Sequence, residues 1–232
     1  MAAPGRSPVG TEALDDPRTD PALVRRMLRD ISRANRWLGG RAVMYFGLAQ
    51  LVDAGDAGRT LTLCDIGTGA GDLPAAATRW AARRGITLRC AGIERIPAAA
   101  ALARRGGMAV AVGCAGSLPI RPRAVDLVLI SQLAHHLDRA AVVQLFRDAA
   151  RTARRGVLVC DLRPSPLARH GFPVAARLLG LHRVTIADGV TSVARGFSAA
   201  TLAELAHEAG CHRSGTAERP LGRVALWWRT DR

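Results

Sequence analysis

The run Thr62-Leu63-Cys64-Asp65-Ile66-Gly67-Thr68-Gly69-Ala70-Gly71-Asp72 decides how the rest of the sequence is read. Leu61, Leu63 and Ile66 make a short apolar β-type stretch ending at an acid, three glycines alternate after it, and a helical pattern begins at Asp72 or Leu73. Glycine tolerates φ > 0 and carries no Cβ, so such a turn can bring main chain against a ligand at a helix N-terminus. A dinucleotide fingerprint needs a third glycine three positions after the second, and the residue three after Gly69 is Asp72. The spacing is D-x-G-x-G-x-G. Taken alone, it also suits a ligand-free strand-to-helix turn.

A chain of 232 residues with 49% hydrophobic residues and a mean hydropathy of +0.09 is long enough for one α/β domain with a sizeable core. No apolar run reaches the length of a membrane span. Residues 1–18 are polar and rich in Pro and Gly without an apolar h-region, which reads as a disordered lead-in and places the protein in the cytoplasm. The net charge of +14 invites a nucleic-acid reading. All 33 basic residues are arginine, however, scattered in pairs such as Arg25-Arg26, Arg83-Arg84, Arg104-Arg105 and Arg154-Arg155, mostly on or just after helices. The macrodipole favours cations in a last helical turn, and 4% aromatic residues are too few for a base-stacking platform. Nucleic acid is therefore not the expected partner. Cys64, Cys90, Cys114, Cys160 and Cys211 form no C-x-x-C pair and no Cys/His metal spacing, so neither a disulfide nor a metal is expected.

Asp20-Pro21 opens a helix with an acidic N-cap and proline at its first position. Val24, Met27, Leu28 and Ile31 fall on one face and the arginines on the other. Asn35 projects from the apolar side, where it either caps the helix end or faces a ligand cleft. A second helix runs over 41–52. Then come strands at 61–66, 87–93, 108–112, 125–130 and 157–161, alternating with helices over 73–84, 97–105 and 139–153, the last capped by Asp138. Alternation of this kind gives a parallel sheet with right-handed crossovers. Regularity breaks over 163–197, with one helix expected at 173–181 and a loop at Ala187-Asp188-Gly189. Ser198 then caps a helix ending at Gly210, and a β pair, 212–218 and 222–229, closes the chain. Residues 19–232 thus read as one domain: helices over 19–55, a core over 60–162, an insertion over 163–197 and a closing helix and β pair over 198–232.

Four features accompany the glycine turn. Glu94 directly follows the second strand, where its two acceptor oxygens suit a pair of ribose hydroxyls. Gly113-Cys114-Ala115-Gly116-Ser117-Leu118-Pro119 precedes the fourth strand, and Ser131-Gln132-Leu133-Ala134-His135-His136-Leu137 follows it. Phe197-Ser198 with Leu202, Glu204, Leu205 and Ala209-Gly210 leads into the ending. Together with D-x-G-x-G-x-G these resemble, in order, the motifs of the class I S-adenosylmethionine (SAM) methyltransferases. The family's adenine loop has Asp where Cys114 stands, which removes one hydrogen bond worth roughly 0.5–1.5 kcal/mol. Residues 29–40 (Arg29-Asp30-Ile31 to Gly39-Gly40) resemble the lead-in of small methyltransferases that accompany polyketide or quinone pathways in secondary metabolism.

The resemblance implies a Rossmann-like α/β fold: a seven-stranded sheet with helices on both faces, an N-terminal helical lid and an insertion after strand five. It implies SAM as cofactor and S-adenosylhomocysteine as product. Asp65 and the Gly67, Gly69 and Gly71 turn would hold the methionine end, Glu94 the ribose and Cys114 and Ala115 the adenine, with Thr68, Asp72, Arg95 and Ser131 also binding the cofactor. A small-molecule acceptor, a phenolic or polyketide-like hydroxyl, would lie between residues 131–136, the N-terminal helices and the insertion. One of His135 and His136 would act as general base toward that hydroxyl, or both would cap and pack at the turn. Two rivals share the motifs. One is a SAM-binding protein that transfers no methyl, as a cyclase or regulatory subunit; the other is an RNA methyltransferase. Oligomeric state is left open.

Overall fold

The computed structural model describes residues 10–230. Two helices, α1 (Pro21–Trp37) and α2 (Gly40–Leu51), precede the sheet. The Asp20 side chain accepts from the backbone of Leu23, so the expected cap is in place. The alternating core is β1 (Thr60–Ile66), α3 (Asp72–Ala82), β2 (Thr87–Glu94), α4 (Pro97–Arg105), β3 (Ala109–Val112), β4 (Val125–Ser131), α5 (Arg139–Thr152) and β5 (Ala153–Leu162). After it come α6 (Pro166–Leu178), α7 (Arg183–Arg195), α8 (Ala199–Glu208), β6 (Ser214–Arg219) and β7 (Arg223–Arg229). The strand order is β3-β2-β1-β4-β5-β7-β6. β1 through β5 are mutually parallel, and β7 runs antiparallel between β5 and β6.

Each central strand sends alternate residues to opposite faces, and both faces are dry. Cys64, Ile66, Val128, Ile130, Val157 and Val159 join one core with Phe146 of α5 and Leu202 and Leu205 of α8. Leu61, Leu63, Leu127, Leu129, Leu158 and Cys160 join the other, against Met44 and Leu48 of α2 and Leu73 and Trp80 of α3. Burial on two faces is why these strands read as continuous apolar runs. Chain order reverses between β1 and β4, which opens a crevice beyond their carboxyl ends. Val24 and Leu28 of α1 pack with Ile96 and Ala99 around α4 beside that crevice. No helix among the described residues is long and apolar enough to cross a membrane.

Two expectations change. Residues 163–197 hold two helices, not one helix and a loop. Pro173 sits inside α6, and Asp188-Gly189, read as a turn, lies in the middle of α7. Gly189 is there for space: a Cβ on it would lie 2.3 Å from the Phe172 ring of α6. The lead-in also differs. Residues 1–9 lie outside the described residues, but from Gly10 the chain is placed, with a 3-10 turn at Ala13–Asp15. Glu12 and Asp15 are buried there, and Arg95 Nη2 donates to the carbonyls of Leu14 and Asp15.

Candidate active site

Gly67, Gly69 and Gly71 all have positive φ (75°, 56° and 79°), the left-handed region that a side chain disfavours. The turn is held from β2. Gly67 and Thr68 donate to the carbonyl of Ile93 at 2.8 and 3.1 Å, and the Gly69 amide donates to Glu94 Oε2 at 2.8 Å. Glu94 Oε1 accepts from Ile96 at 2.8 Å. Each Glu94 oxygen keeps a further lone pair for a ligand.

A cavity of about 260 Å³ extends from this turn to the start of α5. Of the residues singled out from the sequence, Asp65, Gly67, Thr68, Gly69, Asp72, Glu94, Arg95, Cys114, Ala115, Ser131, His135 and His136 line it. Gly71 does not; it turns the chain into α3. Ser131 Oγ is buried without a protein hydrogen bond, the condition of a polar group that awaits a ligand; buried Asp65 Oδ1 and Thr68 Oγ1 make no close hydrogen bond either, although Thr68 is near enough to oppose the upward shift of Asp65. Burial pushes the Asp65 carboxyl up to about 8, and neighbouring Asp72 and Glu94 add to it. Burial also raises Asp72. The ambiguity over Asn35 is resolved: Gln132 Nε2 donates to Asn35 Oδ1 at 2.7 Å, and Asn35 Nδ2 donates to Asp72 at 3.2 Å. Gln132 reaches it from a left-handed backbone, φ 50°, a strain that functional sites commonly carry.

The far end of the cavity is built on two histidines. His135 Nδ1 lies 2.6 Å from Asp161 Oδ1 at the end of β5, and its Nε2 is buried without a partner. His136 Nδ1 lies 2.8 Å from Asp15 Oδ1. A carboxylate on Nδ1 selects the tautomer with its proton there and leaves Nε2 a lone pair. Burial would raise Asp161, but His135 beside it holds its carboxyl below the usual range. Asp15 is likewise held down, against burial, by His136 and Arg195. Glu12 goes the other way: burial raises it, with His136, Ser192 and Arg195 opposing.

Arg195 of α7 ties this end together. Its Nη1 is 3.0 Å from Glu12 Oε1, and its Nη2 donates to Asp15 Oδ2 at 3.0 Å and to the carbonyl of Gly10. Glu12 Oε2 accepts from Ser192 at 2.9 Å, and Asp188 Oδ2 accepts from the Ala13 amide at 2.8 Å. Glu12, His135 and His136 each bring a ligand atom within 4.8 Å of the others, a set that could hold a metal ion. The fixed guanidinium 3.0 Å from Glu12 and 3.2 Å from His136 Nδ1 already supplies positive charge, so the set suits a hydrogen-bond donor better than a dication. Glu12, Asp15, Asp161, Asp188, Ser192 and Arg195 were not singled out from the sequence. The signal for the last three is helical: Asp188, Ser192 and Arg195 stand at i, i+4 and i+7 on one face of α7.

Residues 64–160 match the family model of a methyltransferase domain. No curated protein matches the chain. Among solved structures, a candidate O-methyltransferase of Nostoc punctiforme superposes with a TM-score of 0.66 at 17% identity, over 97% of this chain and 64% of that one. Human N-acetylserotonin methyltransferase in complex with SAM gives 0.64 at 15%, over 92% and 57%. Mitomycin 7-O-methyltransferase gives 0.58 at 23%, over 95% and 61%. The chain thus spans less than two thirds of these proteins. Sheet order and glycine turn are those of the class I methyltransferase fold, and the stretch that matches a methyltransferase domain, 64–160, runs from β1 into β5. Magnesium protoporphyrin IX methyltransferase of Synechocystis, with bound S-adenosylhomocysteine, gives a TM-score of 0.54 at 16% identity, over 82% of this chain and 83% of that one.

Proposed function

We propose that this protein transfers the methyl group of SAM to a hydroxyl of an apolar small molecule, phenolic or polyketide-like, as part of secondary metabolism. The single observation that carries the reading is His135 Nε2, buried without a hydrogen bond and 3.9 Å from Glu12 Oε1, in the cavity that the glycine turn also lines. Asp65, Thr68 and Asp72 would receive the cationic methionine end, Glu94 the ribose, and Ser131 and the Cys114-Ala115 backbone the remaining polar edge, with Arg95 fixing the segment above. SAM supplies an electrophilic methyl on sulfur.

The chain's own tasks are then alignment, exclusion of water and handling one proton. The acceptor oxygen takes the methyl, its bond to carbon forming as the carbon–sulfur bond breaks. The hydroxyl proton passes to His135 Nε2, and Asp161 stabilises the resulting imidazolium. Apolar residues from α1 and the insertion, Ile31, Phe172 and Val193, line the acceptor side. The test is incubation with methyl-labelled SAM and a panel of phenols and hydroxylated polyketides, read by mass spectrometry. Labelled product with matching release of S-adenosylhomocysteine is expected. SAM binding without transfer to any acceptor would favour the non-methylating reading, and transfer only to RNA would overturn the acceptor class.

A further inference from the structure

Among the described residues, the large hydrophobic side chains left in solvent are Trp37 (60% exposed), Val112, Leu167 (79%), Val174 (58%), Leu178 (84%) and Leu221. All but Val112 belong to elements packed together on the acceptor side. Leu167, Val174 and Leu178 stand at i, i+7 and i+11 on α6, within about 40° of one another at 3.6 residues per turn. Ala34 and Leu38 at the end of α1 pack with Ala176 of α6. The β6–β7 turn meets both: Leu221 lies under Gly39, and Gly222 abuts Ala168. The result is one apolar stripe with Trp37 and Leu221 at its edge, where singly scattered apolar residues would call for no explanation.

Arginine dominates the charge around the stripe, with Glu218 of β6 paired to Arg163 at 3.4 Å. From 163 to 187 there is no Asp or Glu, but Arg163, Arg169, Arg177 and Arg183; from 31 to 52 there is again no acid, but Arg33, Arg36 and Arg41. Arg36 lies over the Trp37 ring at 5.0 Å. Exposed leucine and tryptophan among arginines form the pattern of a helix lying in a lipid interface. The same charge argues against a second copy, because a two-fold contact would set these arginines against themselves. From these features we infer that the α6 face docks on an anionic membrane surface. Phe172 of α6 lines the cavity, so docking would set the acceptor side of the site at the bilayer. Resting on the function proposed above, this names the acceptors as apolar compounds that partition into membranes.

The experiment is flotation of the full chain, without cofactor or acceptor, on phosphatidylcholine vesicles with and without roughly one third phosphatidylglycerol. Binding to the anionic vesicles is expected, falling with added salt. Leu167→Gln/Leu178→Gln should weaken it by at least about tenfold, and Arg169→Gln/Arg177→Gln by roughly fivefold per charge, with thermal melting unchanged in both. Equal partitioning with and without the anionic lipid, or wild-type binding by folded Leu167→Gln/Leu178→Gln, overturns the proposal. So does light scattering that shows a dimer lost in that variant. Because no methyl acceptor is present, failure here leaves the assignment of the reaction untouched.

Discussion

Nδ1 of His135 stands 2.6 Å from Oδ1 of Asp161; the pair is almost wholly buried, 2% and 0% exposed. The same carboxylate accepts from the backbone of His135 and Leu162, so it fixes both the ring and the strand end that presents it. Through this pairing Nε2 becomes the acceptor atom.

Asp161→Asn keeps the shape and removes the charge that steadies an imidazolium. Turnover on the true acceptor should fall by roughly 10²–10⁴-fold, while SAM affinity by calorimetry stays near wild type. His135→Gln should match it, and His136→Gln should be milder. Near-normal turnover in His135→Gln and His136→Gln alike would make the histidines structural.

Glu94→Ala should weaken SAM binding by about 1.5–3 kcal/mol, since the lost bonds have a charged acceptor. The residue also anchors Gly69 and Ile96, so a lower melting temperature is expected as well. Titration calorimetry on the folded variant decides it: unchanged SAM affinity would leave Glu94 only its anchoring role.

Asp65 gives the proposed cofactor site a pH dependence. Burial raises its folded-state pKa to about 8 from the ordinary carboxylate value of 3.8. The free protein therefore holds a proton there that the unfolded chain releases, and its stability declines as pH rises between those values. A cationic ligand favours the ionised form, so SAM binding below pH 8 should release a proton and tighten as pH rises from 6 to 9. Calorimetry in buffers of different ionisation enthalpy measures that proton. In Asp65→Asn both the release and this loss of stability with rising pH should vanish.

How much of this was legible depended on how local the signal is. β1, its glycine turn and Glu94 are adjacent in chain or joined by one crossover, and the two-sided burial of β1, β4 and β5 shows as unbroken apolar runs. The insertion departs from its sequence pattern because Pro173, Asp188 and Gly189 carry turn chemistry that packing overrides: Phe172 fills the space beside Gly189. The far end of the cavity was mostly hidden for another reason. Glu12 meets Arg195 across 183 residues and His136 meets Asp15 across 121, and no pattern within a short window reports such pairs.

Arg195 is the member of that long-range set whose loss should be felt most. It is 2% exposed and faces Glu12 and Asp15. Arg195→Gln would leave two buried carboxylates with less compensation, and breaking a buried pair in this way costs about 3–5 kcal/mol. Part of that loss depends on acid. Asp15 is held below its ordinary value in the folded protein, so it adds stability above the unfolded carboxylate range and loses it as pH falls through its own depressed value. Wild type should therefore shed stability steadily below about pH 4, and the variant should shed less because more has already gone. Denaturant unfolding from pH 7 to pH 2 gives both slopes. Proteolysis gives the local half: the bond region at residues 10–19, tied down by Arg195 and Arg95, should be cut faster in the variant at neutral pH. Parallel slopes and unchanged cutting would mean that this segment is held without Arg195.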